Sequence, residues 1–179
     1  MFAIFFFFVS LFCGGVSRAE TKVLIWPYSP GLRLERGEDQ QLEGRASWMS
    51  GVGFLAGDWY GALESERFEG RSSEGNVSIT RQYQDLSAWA GYRIFGDQSW
   101  RVLALMGAGQ YQEEVKTRVG ALEDTSTSRR KGLFGAGFEG LLLPDNSWVA
   151  FALGLKMLWG EDFDPSPQPQ INLKVGFHF

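Results

Sequence analysis

Ile171-Asn172-Leu173-Lys174-Val175-Gly176-Phe177-His178-Phe179 closes the sequence with an apolar residue at every second position and a polar or small residue between. A period of two gives a β-strand one oily face and one wet face. Such a terminal strand has no following segment to cover it and must be sealed along both edges, which is the condition of a sheet closed on itself.

The same alternation recurs toward the amino terminus. Trp148 to Trp159 sets Val149, Phe151, Leu153, Leu155, Met157 and Trp159 against Ala150, Ala152, Gly154 and Lys156. Ser128 to Leu143 sets Phe134, Ala136, Phe138 and Leu142 against Gly135, Gly137 and Glu139. Leu42 to Leu55 opposes Ala46, Trp48, Val52 and Phe54 to Arg45, Ser47, Gly51 and Gly53. Gly57-Asp58 then turns the chain into Trp59 to Glu69, with Trp59, Gly61 and Leu63 on one face and Glu64 and Glu66 on the other. Asn76 to Phe95 is a long strand with Leu86, Ala88, Ala90, Tyr92 and Ile94 opposite Asp85, Ser87, Gly91 and Arg93. In Trp100 to Gln112 both parities are largely apolar, so its faces stay unassigned.

These segments number seven, and a single-chain bacterial barrel usually takes an even number. The eighth is read at Gly31-Leu32-Arg33-Leu34-Glu35, with a start as early as Val23 left open. Gly70 to Gly75 and Glu113 to Thr127 read as polar loops. Gly160 to Gln170 reads as an acidic loop in which Pro165, Pro167 and Pro169 exclude regular sheet. The short connections, Gly57-Asp58, Gly96 to Ser99 and Pro144-Asp145-Asn146, all fall at one end. The expected fold is an all-β, eight-stranded antiparallel up-and-down transmembrane β-barrel.

Val175, Gly176, Phe177 and Phe179, in an alternating strand with a final Phe, resemble the closing strand of bacterial outer-membrane β-barrels, the small OmpA and OmpX barrels above all. The resemblance implies that these residues are an assembly signal read by the barrel-insertion machinery. It also implies an outer-membrane location in contact with lipid and lipopolysaccharide. At the other end, Met1 to Val9 is almost wholly apolar and Ser17-Arg18-Ala19 precedes Glu20, the pattern of a secretory signal peptide over residues 1–19. Residues 20–179 then form one barrel domain. Cys13, the only cysteine, lies in the leader, so no disulfide or thiol chemistry is expected of the mature chain.

Composition agrees. Mean hydropathy is −0.15 despite 15% aromatic residues and 23 glycines, a mixture suited to strands with one lipid-facing and one lumen-facing side. A net charge of −4 argues against nucleic acid as a partner.

Catalytic chemistry is nearly absent. The single histidine, His178, sits next to the last residue, away from the rim where a lipid-modifying barrel enzyme would need one. A lone imidazole is a poor metal site, and no cofactor is expected. Glu161, Asp162 and Asp164 read as a solvated acidic loop. Arg45, Glu64, Glu66, Arg93, Glu139, Lys156 and Lys174 fall on inward parities and are expected to form a charge network filling the lumen. An eight-stranded barrel is just wide enough for its own side chains, so function should lie at the surface. Asn76 to Phe95, about 20 residues long, would rise about 45 Å against an apolar band of about 25 Å, so its upper half should project and offer an edge to an extended segment of a surface protein. The expected role is that of a non-enzymatic, monomeric structural or surface-interaction barrel. The alternatives are a narrow channel for ions or small solutes and a soluble periplasmic ligand-binding barrel.

Overall fold

A computed structural model describes residues 21–36, 41–74, 77–120, 122–161, 163 and 165–179. The expected signal peptide, residues 1–19, lies outside them. Nine strands follow one another: β1 (Thr21–Arg36), β2 (Leu42–Ala56), β3 (Trp59–Glu74), β4 (Val77–Gly96), β5 (Trp100–Val119), β6 (Leu122–Thr127), β7 (Lys131–Leu142), β8 (Val149–Gly160) and β9 (Gln168–His178). All pairings are antiparallel and join chain neighbours except that β5 pairs with β7 as well as β6, and β1 pairs with β9 to close the ring.

The ring has eight members because β6 and β7 are the upper and lower parts of one descending strand. Glu114 pairs with Thr127, and Tyr111 with Lys131, so the register slips by one residue where Ser128, Arg129 and Arg130 bulge out. The amide of Ser128 still donates to the Glu113 carbonyl at 2.7 Å. The loop expected over Glu113 to Thr127 is therefore a β-hairpin, reversed at Gly120 with φ of +61°. Its sequence hides this because both faces meet water, which removes the apolar alternation. Likewise β3 continues to Glu74 through most of the expected Gly70 to Gly75 loop. At the other end of that hairpin row, Gly57 at +62° and Gly96 at +96° make the tight turns. There the Asp97 carboxylate accepts bonds from the Trp100 and Ser99 amides, which hold it below the usual carboxylate range.

The first strand is much longer than the alternating Gly31 to Glu35 segment. It accommodates Pro27 through a bulge in which Pro27 and Tyr28 both face outward, shifting the register between Trp26 and Ser29. On its other side the β1–β9 pairing stops at Ile25 and resumes at Gly31. Pro169, expected to exclude sheet, lies inside β9 opposite Met157 near the strand's start.

Alternate residues of every barrel strand face out, and the exterior is apolar: Met106 is 69% exposed, Phe134 65% and Leu153 59%. Trp48, Trp59, Tyr92, Trp100 and Trp159 all point outward. An apolar surface this continuous is not kept against water and suits lipid. The unassigned strand resolves: Arg101, Leu103, Leu105 and Tyr111 of β5 turn inward, and Trp100, Val102, Ala104 and Met106 outward. Two inward leucines had masked the alternation.

Beyond the ring, the upper parts of β3, β4 and β5 stand with β6 as a four-stranded sheet. Here the faces are mixed. The face continuous with the lumen carries Phe68, Val77, Ile79, Tyr83, Val115 and Val119 together with Arg81, Glu113, Thr117 and Asp124, while the other carries Ser78, Thr80, Gln82, Lys116 and Arg118. All six residues of β6 are exposed.

Candidate functional site: a closed ionic lumen beneath a projecting sheet

Two layers of charge fill the lumen. In the layer nearer the short turns, Lys174 of β9 donates to Glu64 of β3 and Glu139 of β7, both at 2.5 Å, and Lys156 of β8 donates to Glu64 at 2.5 Å. Lys174 and Glu139 have no solvent exposure. The ammonium of Lys156 lies 4.0 Å above the Trp89 ring, and that of Lys174 lies 5.7 Å from Trp26, so aromatic faces complete the cationic shells. Glycine makes the space: a Cβ on Gly107 would sit 2.6 Å from the Trp89 ring.

In the layer nearer the projecting sheet, Glu66 and Asp85 stand directly opposite each other on β3 and β4. Two carboxylates so placed repel unless a cation intervenes. Arg33 of β1 supplies it, reaching across to bond both, with its Nε 3.1 Å from Glu66. Its guanidinium is 4.5 Å from the Phe68 ring and 5.8 Å from Phe163. Gln170 donates to Glu66 at 2.5 Å, and the Arg33 guanidinium donates to the Gln168 side-chain oxygen at 3.4 Å. Phe163 is buried against Tyr111, 4.8 Å between centroids, and covers the mouth. Between the layers lies a cavity lined by Met49, Glu64, Glu66, Asp85, Ser87 and Trp89, with room for about one water. Among the described residues this interior is filled by buried side chains around that small cavity.

Of the residues expected in this network, the structure brings Glu64, Glu66, Glu139, Lys156 and Lys174 together. Arg45 and Arg93 are corrections. Arg45 sits at the outer mouth with Glu43 at 2.9 Å and Glu35 at 3.7 Å, and Arg93 bonds Asp58 at 2.6 Å at the short-turn rim. Both have the right parity but the wrong height, since they lie at opposite ends of the barrel. Arg33 and Asp85 were missed as members of the network. Asp85 had an inward parity, and Arg33 lay within the strand whose start was left open, but nothing in sequence separation announces a contact across the lumen. In the terminal strand, Val175, Phe177 and Phe179 face outward and Gly176 packs against the Ile25 carbonyl and Trp26. His178 is partly buried at the short-turn end, where its amide donates to Trp148 at 2.8 Å. Among the described residues no group of acidic, histidine or cysteine side chains has a metal-binding arrangement.

Solved structures share this architecture. Ail, the attachment invasion locus protein of Yersinia pestis, superposes with a TM-score of 0.60 at 13% identity, over 89% of this chain and 99% of that one. Neisserial surface protein A superposes with a TM-score of 0.58 at 15% identity, over 90% of this chain and 98% of that one. The fold is that of the small outer-membrane β-barrels of the OmpA and OmpX type. Identities this low carry the fold alone. No family model and no curated protein sequence matches the chain.

Proposed function

We propose that this chain is a non-enzymatic integral protein of the bacterial outer membrane, exported by cleavage of residues 1–19, whose surface-interaction role is carried by the β3–β6 sheet. The observation that carries this reading is the contrast between a lumen closed by paired charges and a sheet that stands clear of it with a free edge along β6. A strand edge offers unpaired backbone groups to an extended segment of another protein. Support also comes from the neighbours, one an attachment protein and one a surface protein by name. In this reading Val175, Gly176, Phe177 and Phe179 act as the signal for the barrel-insertion machinery.

Topology and role are tested together on whole cells. Thr125→Cys is expected to react with a membrane-impermeant maleimide on intact cells, and Asn146→Cys only after permeabilisation. Replacing residues 115–126 by a short turn should leave insertion intact and abolish any adhesion that the full chain confers. Adhesion unchanged by the truncation would remove the sheet from the function. In planar bilayers the protein should show no conductance steps; steps would favour the narrow channel instead.

A further inference from the structure

We propose that Ser128-Arg129-Arg130-Lys131 is a processing site, cut between Arg130 and Lys131 by an extracellular endoprotease that reads paired basic residues. This rests on the outer-membrane reading above and adds a means of regulating the same projecting sheet.

The sequence holds one run of consecutive basic residues, Arg129-Arg130-Lys131. The fold sets its first two members outside the sheet. Ser128 ends the β5–β6 pairing by an exchange of partners: its amide donates to the Glu113 carbonyl at 2.7 Å, its hydroxyl accepts from the Glu113 amide at 2.9 Å, and its carbonyl accepts from the Gln112 side chain at 3.2 Å. With the Glu113 amide taken by a side chain, the backbone that follows Ser128 has lost its ladder partner. Arg129 and Arg130 are exposed and make no hydrogen bond or ion pair with another described residue. Regular pairing resumes at Lys131, opposite Tyr111. Arg67, Arg81 and Arg118 are exposed too, but each belongs to a strand paired along both edges.

A protease holds its substrate as an extended strand and bonds it along one backbone edge. Such an edge is present here. From Leu122 to Gly132 the side turned away from β5 has no strand partner among the described residues, because β8 reaches only as far as Leu133. Two adjacent pockets lined by carboxylates pair with two guanidinium groups in succession, which Arg129 and Arg130 supply. Lys131 is partly buried and has a contact within the protein, so the bond read is the one after Arg130. Hydrolysis adds water across that amide. The carbon–nitrogen bond breaks, the carbonyl carbon of Arg130 takes the hydroxyl as a carboxylate, and the nitrogen of Lys131 takes the hydrogen as a new amino terminus.

The ring survives such a cut, since β7 keeps β5 on one side and β8 on the other. β6 does not keep its anchorage. It becomes a free-ended strand held only by its six pairs with β5, and all six of its residues are exposed. A hairpin arm with no packed face is marginal in water. Cleavage therefore loosens β6 and uncovers the edge of β5 from Glu114 to Val119, exchanging one docking edge for another.

The test uses the full mature protein in lipid vesicles and on expressing cells. The probes are trypsin and kexin, an endoprotease for paired basic residues, and the pieces are identified by mass spectrometry. Trypsin should cut first within residues 129–131, and kexin after Arg130, leaving two pieces that run together on an unboiled gel and separate on boiling. Arg129→Gln should slow kexin at least about tenfold while leaving trypsin within about twofold, with the heat-dependent gel mobility kept. After the cut, the β5 amides that bond β6 should exchange faster. A first cut elsewhere in the folded protein, or kexin indifferent to Arg129→Gln, would overturn the site, and unchanged exchange would overturn the loosening of β6. Cutting on cells only after permeabilisation would instead overturn the outward placement of the sheet, and absence of a heat-dependent mobility shift would overturn the membrane reading beneath it.

Discussion

Replacing Lys174 by Met removes the cation shared by two buried carboxylates, Glu64 and Glu139. Lys174 is 2.5 Å from both Glu64 and Glu139, and all three side chains are almost fully buried. After the change Glu64 keeps Lys156, but Glu139 is left as a buried anion without its cation, and its second oxygen has no partner to begin with. Removing one member of a buried pair costs about 3–5 kcal/mol, since the remaining charge stays desolvated. Glu139→Gln is milder, about 1.5–3 kcal/mol, because Lys174 retains Glu64 and only one charge-assisted bond is lost. The double variant should cost less than the sum, with a coupling of about 2 kcal/mol. Reversible urea unfolding in lipid vesicles, followed by tryptophan fluorescence, measures all three. A Lys174→Met cost below about 1 kcal/mol, or strictly additive effects, would refute the claim that this ionic layer holds the lumen closed.

Further outcomes follow from the wall. Leu153→Arg, on the exterior of β8, should cost about 2–4 kcal/mol in the same assay, whereas lumenal Ala152→Ser beside Lys174 should be mild; equal costs would contradict the facing of β8. A Cβ at Gly176 would collide with the Ile25 carbonyl, so Gly176→Val should cost about 3 kcal/mol even when refolding is done without any insertion machinery. Gly61→Ala, whose Cβ meets open space on the exterior, should stay within about 0.5 kcal/mol, and a larger loss would challenge that contrast. Because Pro27 and Pro30 carry no N–H and the β1–β9 ladder skips residues 26–30, the amides of Leu173 and Val175, which point toward β1, should exchange at least about tenfold faster than those of Lys174 and Gly176, which point toward β8. Pro30→Val, which restores a donor opposite Leu173, should slow them, and uniform protection along β9 would show the seam to be intact.

Parity was legible in the strands whose two faces differ in polarity, unlike Trp100 to Gln112, and height was not. The alternation of Trp148 to Trp159 and of Ile171 to Phe179 placed the outward residues of β8 and of β9 from Ile171 on, because an apolar surrounding on one side and a filled lumen on the other leave no third environment. Glu64, Glu66, Glu139, Lys156 and Lys174 could be assigned inward for the same reason. Arg45 and Arg93 share that parity yet sit at opposite rims, since position along the barrel axis depends on strand stagger that no single segment encodes. Arg33 escaped notice because its carboxylate partners are 33 and 52 residues away, joined only through the closed ring. The hairpin of Val119 and Leu122 lay hidden because, above the membrane level, water on both faces erases the period of two.

The most direct test of a membrane-embedded barrel is the gel mobility of the protein from the outer-membrane fraction of expressing cells, with and without boiling. A band in that fraction whose mobility changes on heating is the predicted result, since a closed barrel resists detergent until heated. A protein recovered in the soluble periplasm with one mobility under both conditions would contradict the account and return the alternating strands to the core of a soluble barrel.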